Sequence, residues 1–151
     1  MNLESPSFAQ GQSIPQKHTC GGEDASPELR WSSAPTGTKS FALIADDPDA
    51  PVGTWVHWVI YKISANTHEL PAGLEKTAAS SAGTQGMNDF KKVGYGGPCP
   101  PAGKPHRYFF KVYALDTQLS LKSGATKKDL EVAMNGHILG KGELMGTYQR
   151  Q

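Results

Sequence analysis

The segment Trp55-Val56-His57-Trp58-Val59-Ile60-Tyr61 is apolar at every position except His57. Its aromatic and β-branched side chains suit a pleated strand. Successive side chains of a strand face opposite ways, so a half-exposed strand alternates apolar with polar residues. Here both faces are apolar. The segment therefore fits a central strand of a sandwich, covered above and below, and the rest of the chain has to supply those covers. Seventeen Gly and eleven Pro lie scattered between the apolar runs without period, as turns between many short strands would require.

The clearest strands are Ser40 to Ala45, Thr54 to Ile63 and Tyr108 to Leu115, each bounded by Pro, Gly or Asp. Shorter candidates are Leu29 to Trp31 and Glu143 to Tyr148. The polar stretch from Pro71 to Lys92 reads as a long surface loop with brief strands. One helix is expected late in the chain, because Leu130, Ala133, Met134, His137 and Ile138 recur at helical spacing, with Thr126 to cap its start and Gly140 its end. The expected order is strands first, one late helix, and a last strand returning to the sheet.

The length of 151 residues suits one domain over 1–151. Fifteen Lys and Arg against fourteen Asp and Glu leave a formal net charge of +1, so no basic field draws nucleic acid or an acidic membrane. No run approaches the eighteen apolar residues of a membrane span, and Met1-Asn2-Leu3-Glu4-Ser5-Pro6 lacks the features of a signal peptide. A soluble, cytoplasmic protein without membrane insertion is expected. Cys20 and Cys99 match no zinc spacing, and thiols are the default in such a chain. Both lie in Gly- and Pro-rich turns, so a bridge pinning two loops together stays open if their Cα atoms come close enough.

Two polar clusters stand against this apolar background. The first is Asp46-Asp47-Pro48-Asp49-Ala50-Pro51 with His57 close behind; the second is Gly97-Pro98-Cys99-Pro100-Pro101 leading into His106-Arg107-Tyr108. Carboxylates and imidazoles lose solvation on burial and need partners to offset the cost. Period-two geometry puts His57 on one face with Trp55, Val59 and Tyr61, and puts His106 beside Tyr108 with Arg107 turned away. Asp47 and Asp49 are the natural partners to orient the two imidazoles, since a carboxylate accepting an imidazole N–H fixes its tautomer. Taken singly, each feature has a structural explanation: Asp-Pro-Asp is a good turn, Trp55 and Trp58 fill cores, and Pro100-Pro101 stiffens a loop. Their joint occurrence points to a site.

On these motifs the chain resembles the phosphatidylethanolamine-binding protein family, in its bacterial and archaeal, Raf-kinase-inhibitor-like branch. Weaker echoes run along nearly the whole chain, in Ser26-Pro27-Glu28-Leu29-Arg30-Trp31, Gly37-Thr38-Lys39-Ser40 and Gly142-Glu143-Leu144-Met145-Gly146-Thr147-Tyr148. The resemblance implies a mainly β fold, a Greek-key antiparallel β-sandwich with one C-terminal helix and a small anion-binding cavity at one edge. It implies that Asp47, His57, His106 and Tyr108 line the cavity, and that Asp49, Trp55 and the Gly97 to Pro101 loop, with Gly97, Pro98 and Pro100, form its rim. The expected ligand is a small anion or phosphate-bearing head group. No catalytic residue, metal or cofactor is expected.

The function expected is that of a non-catalytic anion-binding module that regulates a phosphorylated or carboxylate-bearing partner. One alternative is a loop-mediated inhibitor of a protease or kinase. Another is a metal-dependent hydrolase, since two His and a carboxylate form a facial triad in some enzymes. A nucleophile-based hydrolase ranks lowest: there is no Gly-x-Ser-x-Gly elbow, and it would need Cys99 as a reactive thiol activated by a nearby imidazolium. Bacterial and archaeal relatives tend to be homodimers, which makes a homodimer an expectation here. The chain stops shortly after Tyr148, without the long acidic C-terminal extension of eukaryotic members, which weighs against kinase regulation of their kind.

Overall fold

The protein is described here by a computed structural model of residues 1–150. Strand β1 spans Asn2–Glu4, β2 Leu29–Ser32, β3 Ser40–Asp47, β4 Trp55–Ser64, β5 Glu69–Leu70, β6 Thr84–Gln85 and β7 His106–Leu115; helix α1 spans Lys127–Met134 and strand β8 Ile138–Tyr148. They form two antiparallel sheets, a small one in the order β1-β2-β5 and a large one in the order β6-β4-β3-β7-β8. The three long strands and the late helix are those expected from sequence. β1 is a strand that the sequence pattern does not reveal.

The double cover demanded by the apolar strands is present on the large sheet. On one face Phe41, Leu43, Trp58, Ile60, Phe110 and Val112 pack with Leu29, Trp31 and Leu70 of the small sheet. On the other, Ala42, Ile44, Val59 and Tyr61 pack with Leu130 and Met134 of α1. β3, between β4 and β7, has all eight residues buried. Burying a side chain such as Phe41 or Ile44 from water is worth roughly 1.5–3 kcal/mol, so the two faces of β3 carry much of the folding drive.

Two bulges interrupt β4, because two intervals of β3 are each matched by one residue more on β4. Ala45 faces Trp58 while Asp46 faces Val56, which leaves His57 as the extra residue; Phe41 faces Ile63 while Leu43 faces Ile60. Lys62, within the second bulge, adopts a left-handed φ of 56°. A bulge reverses the alternation of everything beyond it. Trp55 and His57 therefore share a face as expected, but Val59 and Tyr61 lie on the opposite face, under α1. Strict period-two counting fails there because of the extra residue.

The helix is shorter than its periodicity predicts. Thr126 caps it in a reciprocal capping box with Asp129. It stops at Met134, where Asn135 and Gly136, with φ 82°, turn the chain. His137 and Ile138 lie outside it, and Ile138 begins β8, which is longer than the expected Glu143 to Tyr148. Gly140 is thus a strand residue and not a helix cap; a Cβ there would lie 2.8 Å from Pro35 Cγ, so glycine lets that strand pass close to the loop.

Cys20 and Cys99 form a disulfide, with Cα atoms 5.3 Å apart, in place of the two thiols expected by default. The turn that holds Cys20 docks on the segment before Cys99: the Cys20 N–H donates to Pro98 O at 3.1 Å, and the Tyr95 hydroxyl donates to His18 O at 2.7 Å. Gly97 permits this approach, since a Cβ there would run into the His18 carbonyl oxygen. Among the described residues no helix is long and apolar enough to cross a membrane.

Candidate functional site

β3 and β7 pair so that Asp46 faces Phe109, which brings the end of β3 beside the start of β7. Asp47 and His106 thereby meet across the strands: His106 Nδ1 donates to Asp47 Oδ2 at 2.7 Å. The other oxygen of Asp47 accepts the Asp49 N–H at 2.7 Å, an Asx turn that fixes the Pro48 corner. Asp49 in turn accepts three hydrogen bonds from Arg107, from the backbone N–H at 3.0 Å, Nε at 2.9 Å and Nη2 at 2.8 Å. The Arg107 guanidinium holds the Asp49 carboxyl at about 2, below the usual carboxylate range. Asp49 is therefore a clamp behind the rim. Arg107 faces away from His106 and Tyr108, as expected.

The bulge at His57 turns that ring into the same space, where it is 4% exposed. Its Nδ1 donates to Gly96 O at 2.6 Å, and the Gly96 N–H donates back to His57 O at 2.9 Å. A carbonyl oxygen only accepts, so this contact fixes the hydrogen on Nδ1. Burial pushes the His57 imidazole below its ordinary pKa, although the Gly96 carbonyl and Asp47 pull the other way. The ring is therefore neutral around pH 7 and presents a lone pair at Nε2. Tyr108 lies edge-on to His57, with ring centres 5.2 Å apart, and stacked against His106 at 6.5 Å. Burial, reinforced by Asp47 and Asp49, holds its phenol well above the ordinary tyrosine range. Its hydroxyl is buried and has no hydrogen-bond partner among the described residues.

These groups line a cavity of about 220 Å³. Of the residues expected from sequence, Asp47, Trp55, His57, Pro100, His106 and Tyr108 meet on it. Asp49, Gly97 and Pro98 do not, and Asp49 orients Arg107 in place of an imidazole. Gly97 lines a neighbouring cleft of about 590 Å³ with Asp24 and Lys76, and Pro98 directs its carbonyl to Cys20. Both serve to dock the loop.

Phe90 and Val52 are cavity residues that sequence reasoning missed, and Phe90 is the one packed on the imidazole. It stands edge-on to Trp55 and His57, at 5.5 and 5.4 Å between ring centres. Its loop is tied to β4 through Asp89, whose carboxylate accepts the Val56 N–H at 2.7 Å and whose N–H donates to Val56 O at 2.9 Å. The Asn88 side chain closes the turn by accepting from Phe90 and Lys92 and donating to Gly94 O. An Asn-Asp pair before the lone aromatic of a polar stretch is the available signal.

Cys99 is on the cavity wall as half of the disulfide, which removes the reactive thiol that a cysteine nucleophile would need. Among the described residues, no three His, Cys, Asp or Glu side chains gather in a way that could hold a metal ion. A larger depression of about 910 Å³ lies on the small sheet, but its ion pair, Arg30 with Glu28, lies at the surface, where such a pair contributes little.

A family model described as phosphatidylethanolamine-binding protein matches residues 4–149. A relative from Aquifex aeolicus described as a UPF0098 protein is 52% identical over 152 residues, covering 99% of this chain and 89% of its own. A UPF0098 protein of Methanothermobacter thermautotrophicus is 48% identical and covered to 99% on both sides. Among solved structures, a phosphatidylethanolamine-binding protein homologue from Chlamydia trachomatis superposes with a TM-score of 0.90 at 41% identity, covering 99% of this chain and 97% of that one. E. coli YbcL, described as a member of the mammalian family, superposes with a TM-score of 0.91 at 35% identity over 99% and 98% of the two chains. With the paired sheets, the Asp47–His106 contact and the His57–Tyr108 wall all in place, these matches over nearly the full length show that the chain belongs to the phosphatidylethanolamine-binding protein family.

Proposed function

We propose that the protein binds a small oxyanion in the cavity between Asp47, His57, His106 and Tyr108, without chemistry, and regulates a partner that carries such a group on a phosphorylated or carboxylate side chain. The observation that carries this is the Tyr108 hydroxyl, buried on the cavity wall with no protein partner. A buried hydroxyl left unpaired costs about 1–3 kcal/mol, which a ligand oxygen would recover. The size of the cavity supports a head group over an acyl chain: about 220 Å³ is below the usual range for drug-sized ligands. Its wall carries no serine, threonine or free thiol to act as a nucleophile. The Cys20–Cys99 bridge is of a kind that persists mainly in oxidising compartments, and intracellular proteins of hyperthermophiles keep such bridges as well.

Isothermal titration of phosphate and phosphorylethanolamine into wild type and His106→Ala, at about pH 6 and pH 8 to straddle the reference histidine value, tests the proposal. Saturable binding to wild type, weakened at least tenfold by the substitution, is the expected result. Absence of binding at both pH values refutes it.

A further inference from the structure

The cleft of about 590 Å³ beside the oxyanion cavity carries the disulfide in its wall, where Cys20 and Cys99 meet Asp24, Lys76, Lys92 and Tyr95. Cys20 is exposed, whereas Cys99 is only partly so and stands between the buried Pro98 and Pro100. The bridge is therefore most open at its Cys20 end. Its surroundings are cationic. The one carboxylate of the cleft, Asp24, is committed, since it accepts from Lys76 Nζ at 3.2 Å and from the Gly97 N–H at 2.8 Å. Lys17 and Glu23, on the turn that holds Cys20, offset each other. Lys92 lines the cleft and is exposed, and Arg150 places Nη1 3.9 Å from Cys99 Sγ. The positive charge left over favours a thiolate, whether it arrives at the bridge or is released from it.

We propose that the Cys20–Cys99 bridge is a site of thiol exchange for small thiols that carry a carboxylate, drawn to Cys20 by the cationic cleft. The incoming thiolate RS⁻ attacks Cys20 Sγ and forms a new S–S bond there. The bond between the two cysteines breaks, and its electron pair leaves on Cys99 Sγ as a thiolate beside the Arg150 guanidinium. One disulfide replaces another, so this step needs no oxidant or reductant. A second RS⁻ that attacks the sulfur of the bound thiol releases RSSR and leaves Cys20 as a thiolate, which completes reduction of the bridge at the expense of two thiols. Attack at Cys20 is favoured because that residue is open to solvent, while Cys99 is hemmed in by the two buried prolines. The segments stay together once the bond opens, through Cys20 N–H to Pro98 O, Tyr95 hydroxyl to His18 O and Gly97 N–H to Asp24 Oδ1. Cys99 is thus held where it can displace RS⁻ again, which makes the modification reversible. The site does not depend on oxyanion binding in the neighbouring cavity.

The experiment exposes the folded protein to an excess of mercaptopropionate, mercaptoethanol or cysteamine at about pH 8 and low ionic strength. Exchange is stopped with acid, free thiols are capped with a maleimide, and mass spectrometry follows the opening of the bridge and maps the bound probe. Rates are compared per thiolate, because the three probes ionise to different extents. Mercaptopropionate is expected to open the bridge about tenfold faster than cysteamine, with mercaptoethanol between them, at the lower end of what local charge does to an encounter rate. The ratio should shrink toward one at about 0.5 M salt, where exposed charges are screened. It should shrink also in the double variant Lys76→Gln, Lys92→Gln, whose substituted residues are both exposed. Trapped probe should sit on Cys20 with the maleimide on Cys99. Rates for mercaptopropionate and cysteamine within twofold of each other overturn the proposal, as does a probe found mainly on Cys99, or a bridge that none of the three thiols opens in the folded protein. Where the second step is too fast for any adduct to be trapped, the order of the three rates in wild type decides.

Discussion

Removing the Cys20–Cys99 bridge separates what holds the cavity wall from what merely shortens the unfolded chain. The two cysteines are 79 residues apart. Cross-linking a loop of that length withdraws roughly 4.5 kcal/mol of chain entropy from the unfolded state, in a model that takes the folded state as unstrained. The folded segments are joined independently, through Cys20 N–H to Pro98 O, Tyr95 hydroxyl to His18 O, and Gly97 N–H to Asp24 Oδ1 at 2.8 Å. The double variant Cys20→Ala, Cys99→Ala should therefore fold with its cavity intact, yet lose about 3–4.5 kcal/mol. For a chain of this size that corresponds to a drop in melting temperature on the order of 10 °C. Urea unfolding followed by tryptophan fluorescence measures the difference, and phosphate titration of the same variant reports on the cavity. A loss below about 1 kcal/mol would refute the loop-closure argument, and a folded variant whose phosphate affinity is abolished would refute the claim that the three hydrogen bonds suffice to hold the wall.

Acid should destabilise the protein through its buried histidines. Burial pushes His18 and His57 below their ordinary values, and His18 Nε2 is buried without a partner. Their contribution is complete above the unfolded value near 6.5 and is lost as pH falls below it toward the folded values, at up to about 1.4 kcal/mol per pH unit for each ring. Urea midpoints between about pH 7 and pH 5 should fall, and His18→Gln should flatten that slope; an unchanged slope contradicts the assignment. On the opposite face of the large sheet, Asp46 is 2% exposed and receives Lys127 at 2.8 Å and Lys111 at 3.2 Å. Asp46→Asn leaves two partly buried cations without a counter-charge and should cost about 2–3 kcal/mol, somewhat less than a fully buried pair because both lysines reach solvent. Chemical denaturation measures it, and a cost under 0.5 kcal/mol would show the pairs to be incidental.

The long strands and most of the cavity are legible in the sequence because they arise from local composition. Runs that are apolar on both faces announce a covered sheet, and carboxylates and imidazoles beside proline turns announce groups that need partners. Alternation on β7 correctly pairs His106 with Tyr108, since nothing interrupts that part of the strand. It fails on β4, because a bulge is decided by the register against β3 and not by the residues of β4 themselves. The helix end is misplaced for a similar reason: Ile138 fits a helical face, yet pairing with Leu115 draws it into β8. The roles of Phe90, Gly97 and the disulfide depend on which loops touch, and the spacing of residues along a chain carries little of that information.

Asp47 and His106 face each other from 59 residues apart, across a pairing of β3 with β7 that joins the β3–β4 pair to the β7–β8 pair. Such a juxtaposition has a kinetic consequence. Either strand pair can close early, but both flanks of the β3–β7 seam stay open until a long intervening segment has been looped out, and that closure entropy is spent before any contact repays it. The pocket should therefore be among the last features to appear during refolding, on a timescale of milliseconds or slower. A ligand that requires it can trap only molecules that have already completed the sheet, so neither strand pair alone inherits any part of the binding.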